Sequence, residues 1–201
     1  MLILFALYCL TLSLFRAKLT HSIYLFFLIW NLFLAAIPYV ITSYLKLKNN
    51  CETSKLKTLV LIFTWLLFLP NSFYIITDLV HIVRTDGTLF WMDLVLVSSY
   101  SFLGFVVGLK SIYQFEMILK ISKFKPKTPF IIPIICILCG IGIYMGRILR
   151  FNSWDIINHP IRLIVSTLNK LLVVDNLQFS LLFGTFIYFI YLLKKSNYEN
   201  L

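Results

Sequence analysis

The chain has 201 residues, of which 60% are hydrophobic and only 13% are charged. A soluble domain of this size could not cover so much apolar surface, so the composition excludes a water-soluble protein and indicates a membrane protein. The formal net charge of +10 does not indicate nucleic-acid binding. The basic residues lie in short loops beside apolar runs, where lysine sets topology or meets anionic lipid headgroups.

Six apolar runs follow one another along the chain, and a bilayer core needs about 20 helical residues to cross. The runs lack the alternation of a membrane barrel, so we predict an all-α fold, a polytopic helical membrane bundle that forms one domain over residues 1–201. No basic residue precedes the first run and no small-residue cleavage site follows it, which favours a helix over a cleaved signal peptide. The predicted spans are residues 1–15, 22–45, 57–78, 90–114, 129–149 and 177–193.

Both termini of a six-span chain lie on one side of the membrane, and eleven of the 18 basic residues lie there, all of them lysines. The positive-inside rule therefore predicts that both termini are cytoplasmic. All five arginines, all five aspartates and all three histidines then lie on the outer side. Arginine presents a planar fork that holds phosphate or carboxylate in a fixed geometry, whereas lysine is a flexible point charge. We therefore expect a site on the outer side.

Polar side chains follow one side of the third span, at Asn71, Tyr74, Asp78 and His81. Their spacing of 3, 4 and 3 residues puts them on one stripe of a helix. Polar side chains that face lipid are energetically unfavourable, so this stripe should face the bundle interior or a water-filled cavity. Pro70 is expected to kink the helix beside this stripe. Asp78 and His81 could share a divalent metal or act together as a general base, although two ligands are too few for a metal site.

The fourth and fifth spans bring further charged groups to the same level. Asp93 lies in the first turn of the fourth helix, where the helix dipole favours a carboxylate. Arg147 lies about 27 Å along the fifth helix from its start, and Arg150 lies one turn further. We predict that these helix ends meet in one site, with Asp78, His81 and Asp93 as its catalytic candidates. The substrate-binding candidates are Asn71, Tyr74, Arg147, Arg150, Trp154 and Asp155.

Residues 155–172 have apolar positions close to helical spacing, with basic residues among the polar positions. This segment is typical of an interfacial helix that could lie on the outer membrane surface over the site. A plain amphipathic connector is the alternative.

Four segments together resemble a bacterial integral-membrane family, domain of unknown function 1361. They are WNLFLAAIPY (30–39), WLLFLPNSFYIITDLVH (65–81), FWMDL (90–94) and GIYMGRILRFNSWD (142–155). The resemblance runs from the second helix to the sixth and implies a multi-pass protein of a bacterial cytoplasmic membrane. It brings no assigned reaction, so it implies no catalytic roles.

The leading hypothesis is a polar Arg/Asp/His site at the extracytoplasmic membrane boundary that binds or processes an anionic lipid-linked or envelope-derived molecule. Arg147 and Arg150 would hold its phosphate or carboxylate. Whether the protein is an enzyme stays open, and hydrolysis or group transfer is the reaction class to test first. The expected partners are membrane lipids and no nucleic acid.

Two alternatives remain. In the first, the protein is a structural or accessory subunit, whose outer ion pairs only stabilise the bundle for an unidentified membrane protein partner. In the second, it is a small transporter, which is disfavoured because the inner halves of the helices show little polar continuation.

Overall fold

A computed structural model of the protein describes residues 1–48, 54–84, 89–121, 128–151 and 173–199, with positions 158, 161, 165–167 and 170. These residues form six long helices, each long and apolar enough to cross a membrane. The predicted all-α fold with six spans is confirmed, and the protein is a multi-pass membrane protein. The helices are α1 (Leu2–Thr20), α2 (Phe27–Lys48), α3 (Lys55–Tyr74), α4 (Phe90–Ile121), α5 (Thr128–Arg147) and α6 (Val174–Glu199).

Helices are the expected spanning element because a bilayer offers no water to the backbone, and each helix satisfies its own polar groups. Ser54 caps α3, since its side chain accepts a hydrogen bond from the backbone N–H of Lys57 at 3.3 Å. Helix α1 reaches Thr20, past the predicted end at residue 15, because the charge of Arg16 is neutralised by a carboxylate on α4. The predicted interfacial helix 155–172 falls mostly outside the described residues, and its few described positions are helical.

Alternate helices run in opposite directions through the bundle. We call upper the end at which α1, α3 and α5 end, and lower the opposite end. Helix α4 packs against α1, α2 and α3, and α5 packs against α3 and α6. Glycines let the helices approach closely at two of these contacts, because a Cβ atom at Gly108 would lie 2.8 Å from Ser72 on α3, and one at Gly142 would collide with the Pro70 ring.

The lower end is tied together by a buried carboxylate on α4. Glu116, only 3% exposed, accepts hydrogen bonds from the Tyr191 hydroxyl and, at 2.7 Å, from the Lys195 ammonium of α6. Lys120, one turn further along α4, lies 3.2 Å from the same carboxylate. A carboxylate at this position is therefore neutralised and does not face lipid as a bare charge.

Helix α3 is the floor of a gap between α2 and α5. It packs against both of them, whereas α2 and α5 have little direct contact over the described residues. Gly142 and Gly146 bring α5 close to α3, with the Cβ position of Gly146 3.2 Å from the Tyr74 ring. Because α5 leans on α3 through these glycines while α2 packs on another side of α3, a cavity remains between α2 and α5.

Candidate functional site

Asp78 is the centre of the polar contacts at the upper end of α3. The residue is only 1% exposed. Its Oδ1 accepts a hydrogen bond from Nη1 of Arg147 at 3.1 Å, and its Oδ2 accepts one from Nδ2 of Asn31 at 3.0 Å. A buried carboxylate in a membrane span is tolerated when it is paired and hydrogen-bonded, as it is here. The contacts join α2, α5 and the segment that follows α3.

The segment that follows α3, Ile75–Arg84, is a 3₁₀ helix and carries both Asp78 and His81. Side chains three residues apart eclipse each other in a 3₁₀ helix, which sets these two groups side by side. The Nε2 atom of His81 lies 3.9 Å from Oδ1 of Asp78, which is too long for a hydrogen bond. Its Nδ1 lies 3.2 Å from the hydroxyl oxygen of Tyr24, and its ring packs edge-on against Phe27.

A cavity of about 790 Å³ lies between α2 and α5 above the floor formed by α3. Its size is typical of a small-molecule site. At the upper end, Asn31, His81, Arg147 and Arg150 line it, and no described carboxylate does so, because Asp78 lies behind Arg147. The apolar remainder of the lining includes Trp30, Leu34, Phe63, Leu66, Leu67, Leu138, Ile141 and Met145. The cavity is therefore lined by basic side chains at one end and by mostly apolar ones along its length.

The end of α5 presents two guanidinium groups to the cavity. Arg147 is the last residue of the helix, and its guanidinium lies 6.0 Å from the centre of the Tyr74 ring. Arg150 has a left-handed backbone conformation with φ of 58°, and the N–H of Phe151 donates to the carbonyl of Met145 at 3.1 Å. Over the part of the chain that the structure describes, the Arg150 side chain has no hydrogen bond or ion pair, and it lines the cavity.

Asp93 belongs to a different cluster from Asp78. Its carboxylate accepts two hydrogen bonds from Arg16 of α1, from Nε at 3.0 Å and from Nη2 at 3.1 Å. Both side chains are buried, and neither lines the cavity. Next to them, the hydroxyl oxygens of Ser13 and Tyr100 lie 2.9 Å apart. This fork-to-fork pair joins α1 to α4 and is separate from the cavity site.

The remaining predicted site residues divide into two groups. Asn71 and Tyr74 both line the cavity. The Asn71 amide donates to the carbonyl of Phe68 at 3.1 Å, and α3 continues past Pro70 to Tyr74 before the helix type changes. Trp154 and Asp155 lie outside the described residues.

Sequence reasoning did not assign three residues that the structure places in these clusters. They are Asn31, whose amide donates to Asp78, Tyr24, whose hydroxyl lies beside His81, and Arg16, whose guanidinium donates to Asp93. Asp78 was assigned from its place on the polar stripe, and Asp93 from its place in the first turn of the fourth helix. The need of a buried carboxylate for a partner indicates that polar residues on other helices, such as Asn31 and Arg16, must meet it, but it does not say which ones do.

The pair Asp78 and His81 was also a candidate for metal binding. Among the residues that the structure describes, no group of three His, Cys, Asp or Glu side chains is arranged to hold an ion. Both oxygens of Asp78 already accept hydrogen bonds, from Asn31 and Arg147. The described contacts are those of a carboxylate that holds an arginine.

Fold and site together define the class: a polytopic helical membrane protein with a cavity that two arginines line at the upper end of the bundle. Residues 30–190 match the model of a family described as protein of unknown function (DUF1361), and the chain belongs to that family. Searches of curated proteins and of solved structures found no match.

Proposed function

We propose that the upper end of the cavity binds the anionic group of a lipid-linked or envelope-derived molecule. The observation that carries the proposal is the charge of the lining, which has two guanidinium groups and an imidazole but no described carboxylate. A low-dielectric pocket with this lining favours a phosphate or carboxylate, which Arg147 and Arg150 can both reach.

The backbone at Arg150 supports the same proposal. A residue in the left-handed region after a helix is usually glycine, because a side chain adds strain there. An arginine at this position, with φ of 58° and its side chain on the cavity, keeps a strained conformation that glycine would relieve. Strain of this kind is found where the surrounding structure holds a side chain for function.

The contacts of Asp78 favour binding over processing of the molecule. Both oxygens accept hydrogen bonds, so the carboxylate orients Arg147, and it is buried and does not line the cavity in which a bound molecule would react. His81, whose Nδ1 is 3.2 Å from the Tyr24 hydroxyl oxygen, lines the cavity and is the group best placed to handle a proton if the bound molecule reacts.

Headgroup selectivity tests this proposal. Native mass spectrometry of the purified full chain should show preferential retention of phosphatidylglycerol over phosphatidylcholine with the same acyl chains. Arg150→Gln should lower that preference by about threefold or more without a change in melting temperature, because its guanidinium has no described partner in the fold.

Lys18→Gln is the matched control, because Lys18 is an exposed basic residue at the end of α1 and does not line the cavity. The control should keep the full preference. Equal retention of both lipids by the wild-type protein would contradict the proposal.

For orientation, we propose that the protein lies in a bacterial cytoplasmic membrane with both termini cytoplasmic and the cavity site at the extracytoplasmic boundary. The lysines concentrate at the lower end, which the positive-inside rule makes cytoplasmic. An anionic envelope molecule would then meet the arginines from the outer leaflet.

Cys51, in the connection between α2 and α3, gives a direct measure of orientation. Cys9, Cys136 and Cys139 are buried, so they should not react with a maleimide in the folded protein. A membrane-impermeant maleimide should label Cys51 only after the cells are permeabilised. In a Cys51→Ser background, Lys18→Cys should be labelled in intact cells, and the reverse pattern would overturn the orientation.

A further inference from the structure

We propose that the occupant of the cavity is a membrane lipid with a phosphate headgroup, which enters sideways from the bilayer between α2 and α5 and lays a hydrocarbon chain along α3. The inference rests on the proposed function, because it assigns the anion at Arg147 and Arg150 to a lipid headgroup. It adds the chemical class of the ligand and the route by which the ligand enters.

The length of the cavity fits one leaflet. Its lining runs along α3 from Tyr74 down to Phe63, which at 1.5 Å per residue is about 16 Å. Half of a hydrocarbon core of about 30 Å is nearly the same length. Below Asn71 the lining is apolar, with Leu67 on the α3 side and Leu138 on the α5 side. A headgroup at the boundary therefore places its chain over this apolar floor.

The cavity has an apolar edge on the side that faces the bilayer. Trp30 and Phe63 both line it, and they are 54% and 57% exposed. Both residues lie in candidate membrane spans, where acyl chains would surround the bundle. A lipid can pass this edge without leaving an apolar environment, whereas a soluble anion would leave the apolar part of the cavity unfilled.

The headgroup and the acyl chain of such a lipid would contribute to its binding in different ways. A chain that moves from the bilayer into the cavity exchanges one apolar environment for another, so it gains packing contacts and little hydrophobic free energy. The guanidinium groups supply headgroup selectivity through charge-assisted hydrogen bonds. Selectivity for charge and selectivity for chain length can therefore be measured separately.

Photocrosslinking of the full chain in nanodiscs tests the route. The probe is phosphatidylglycerol with a diazirine in its acyl chain, and phosphatidylcholine with the same chain is the comparison. We expect adducts of the phosphatidylglycerol probe to be enriched at cavity residues such as Leu67 and Leu138. Val40 and Leu193, which are exposed on α2 and α6 and do not line the cavity, should be labelled equally by both probes.

A variant that fills the cavity gives a second measurement. Leu138→Trp should lower retention of dioleoyl phosphatidylglycerol by about tenfold and leave the short-chain dihexanoyl lipid almost unchanged. Leu193→Trp, which adds the same bulk on α6 away from the cavity, should change neither. If Leu138→Trp does not fold, the crosslinking of the wild-type chain still decides.

The results separate this inference from the proposed function. Adducts confined to the cavity, with loss of long-chain binding in Leu138→Trp, support it. Uniform labelling around the bundle overturns it even if Arg150→Gln abolishes headgroup preference. If headgroup preference is absent from the start, the proposed function fails first.

Discussion

Arg147→Met should destabilise the protein and abolish selective binding of anionic lipid, and the double variant Arg147→Met/Asp78→Leu should recover only the stability. The single change leaves the buried Asp78 carboxylate with Asn31 but without the guanidinium that neutralises it. We expect a cost of roughly 3 kcal/mol in the free energy of unfolding. The double change removes both charges, and a buried ion pair can be replaced by apolar residues of similar volume at little cost.

Thermal melting in detergent measures the first effect, and headgroup preference by native mass spectrometry measures the second. This combination separates a binding site from an ion pair that only stabilises the bundle. A double variant that melts like the wild type and still prefers phosphatidylglycerol would show that Asp78 and Arg147 serve the fold alone. The structural or accessory-subunit alternative would then be favoured.

The pair of Arg16 and Asp93 should contribute to stability but not to lipid selectivity. Arg16→Met leaves a buried carboxylate on α4 without its fork of two hydrogen bonds, and we expect a loss of about 3–5 kcal/mol in the free energy of unfolding. The double variant Arg16→Met/Asp93→Leu should melt close to the wild type. In the wild type the Nη1 atom of Arg16 is buried without a hydrogen bond, and the double variant removes the desolvation cost of that atom.

Lipid selectivity should be unchanged in that double variant, because neither residue lines the cavity. The same two measurements apply, so the two buried Arg–Asp pairs act as controls for each other. Loss of phosphatidylglycerol preference in a stable Arg16→Met/Asp93→Leu protein would mean that Asp93 takes part in binding, as expected from its place at the start of the fourth span.

Hydropathy and residue spacing were sufficient to predict the six spans and the polar stripe on α3. Continuous apolar runs have few physical solutions in a bilayer, so their number and type could be predicted. The stripe could be predicted because polar groups avoid lipid, and three of its members, Asn71, Tyr74 and His81, line the cavity. Asp78 lies behind that lining, in contact with Arg147.

The pairing of charges could not be predicted. Arg16 and Asp93 are 77 positions apart, and Asp78 and Arg147 are 69 apart. Several arginines and aspartates were expected at the same membrane level, and which of them meet depends on which helices are neighbours. Hydropathy gives the depth of a residue but not the order of helices around the bundle, so Asp93 was grouped with Asp78.

Polar residues in the lower half were also missed. The Thr42 hydroxyl donates to Gln114 at 2.7 Å, and the Trp65 indole N–H donates to the Ser111 hydroxyl at 2.8 Å. Each residue alone is tolerated in an apolar helix, so the sequence predicted little polar continuation below the stripe. Their hydrogen bonds across α2, α3 and α4 become visible only when the helices are assembled.

An electron cryomicroscopy map of the full chain in nanodiscs that contain phosphatidylglycerol tests the central claim most directly. We expect density for a phosphate within hydrogen-bond distance of Arg147 and Arg150, and for a chain that follows α3 between α2 and α5. A map in which α2 and α5 close over α3, or in which Arg150 turns away from an empty upper end, would contradict it.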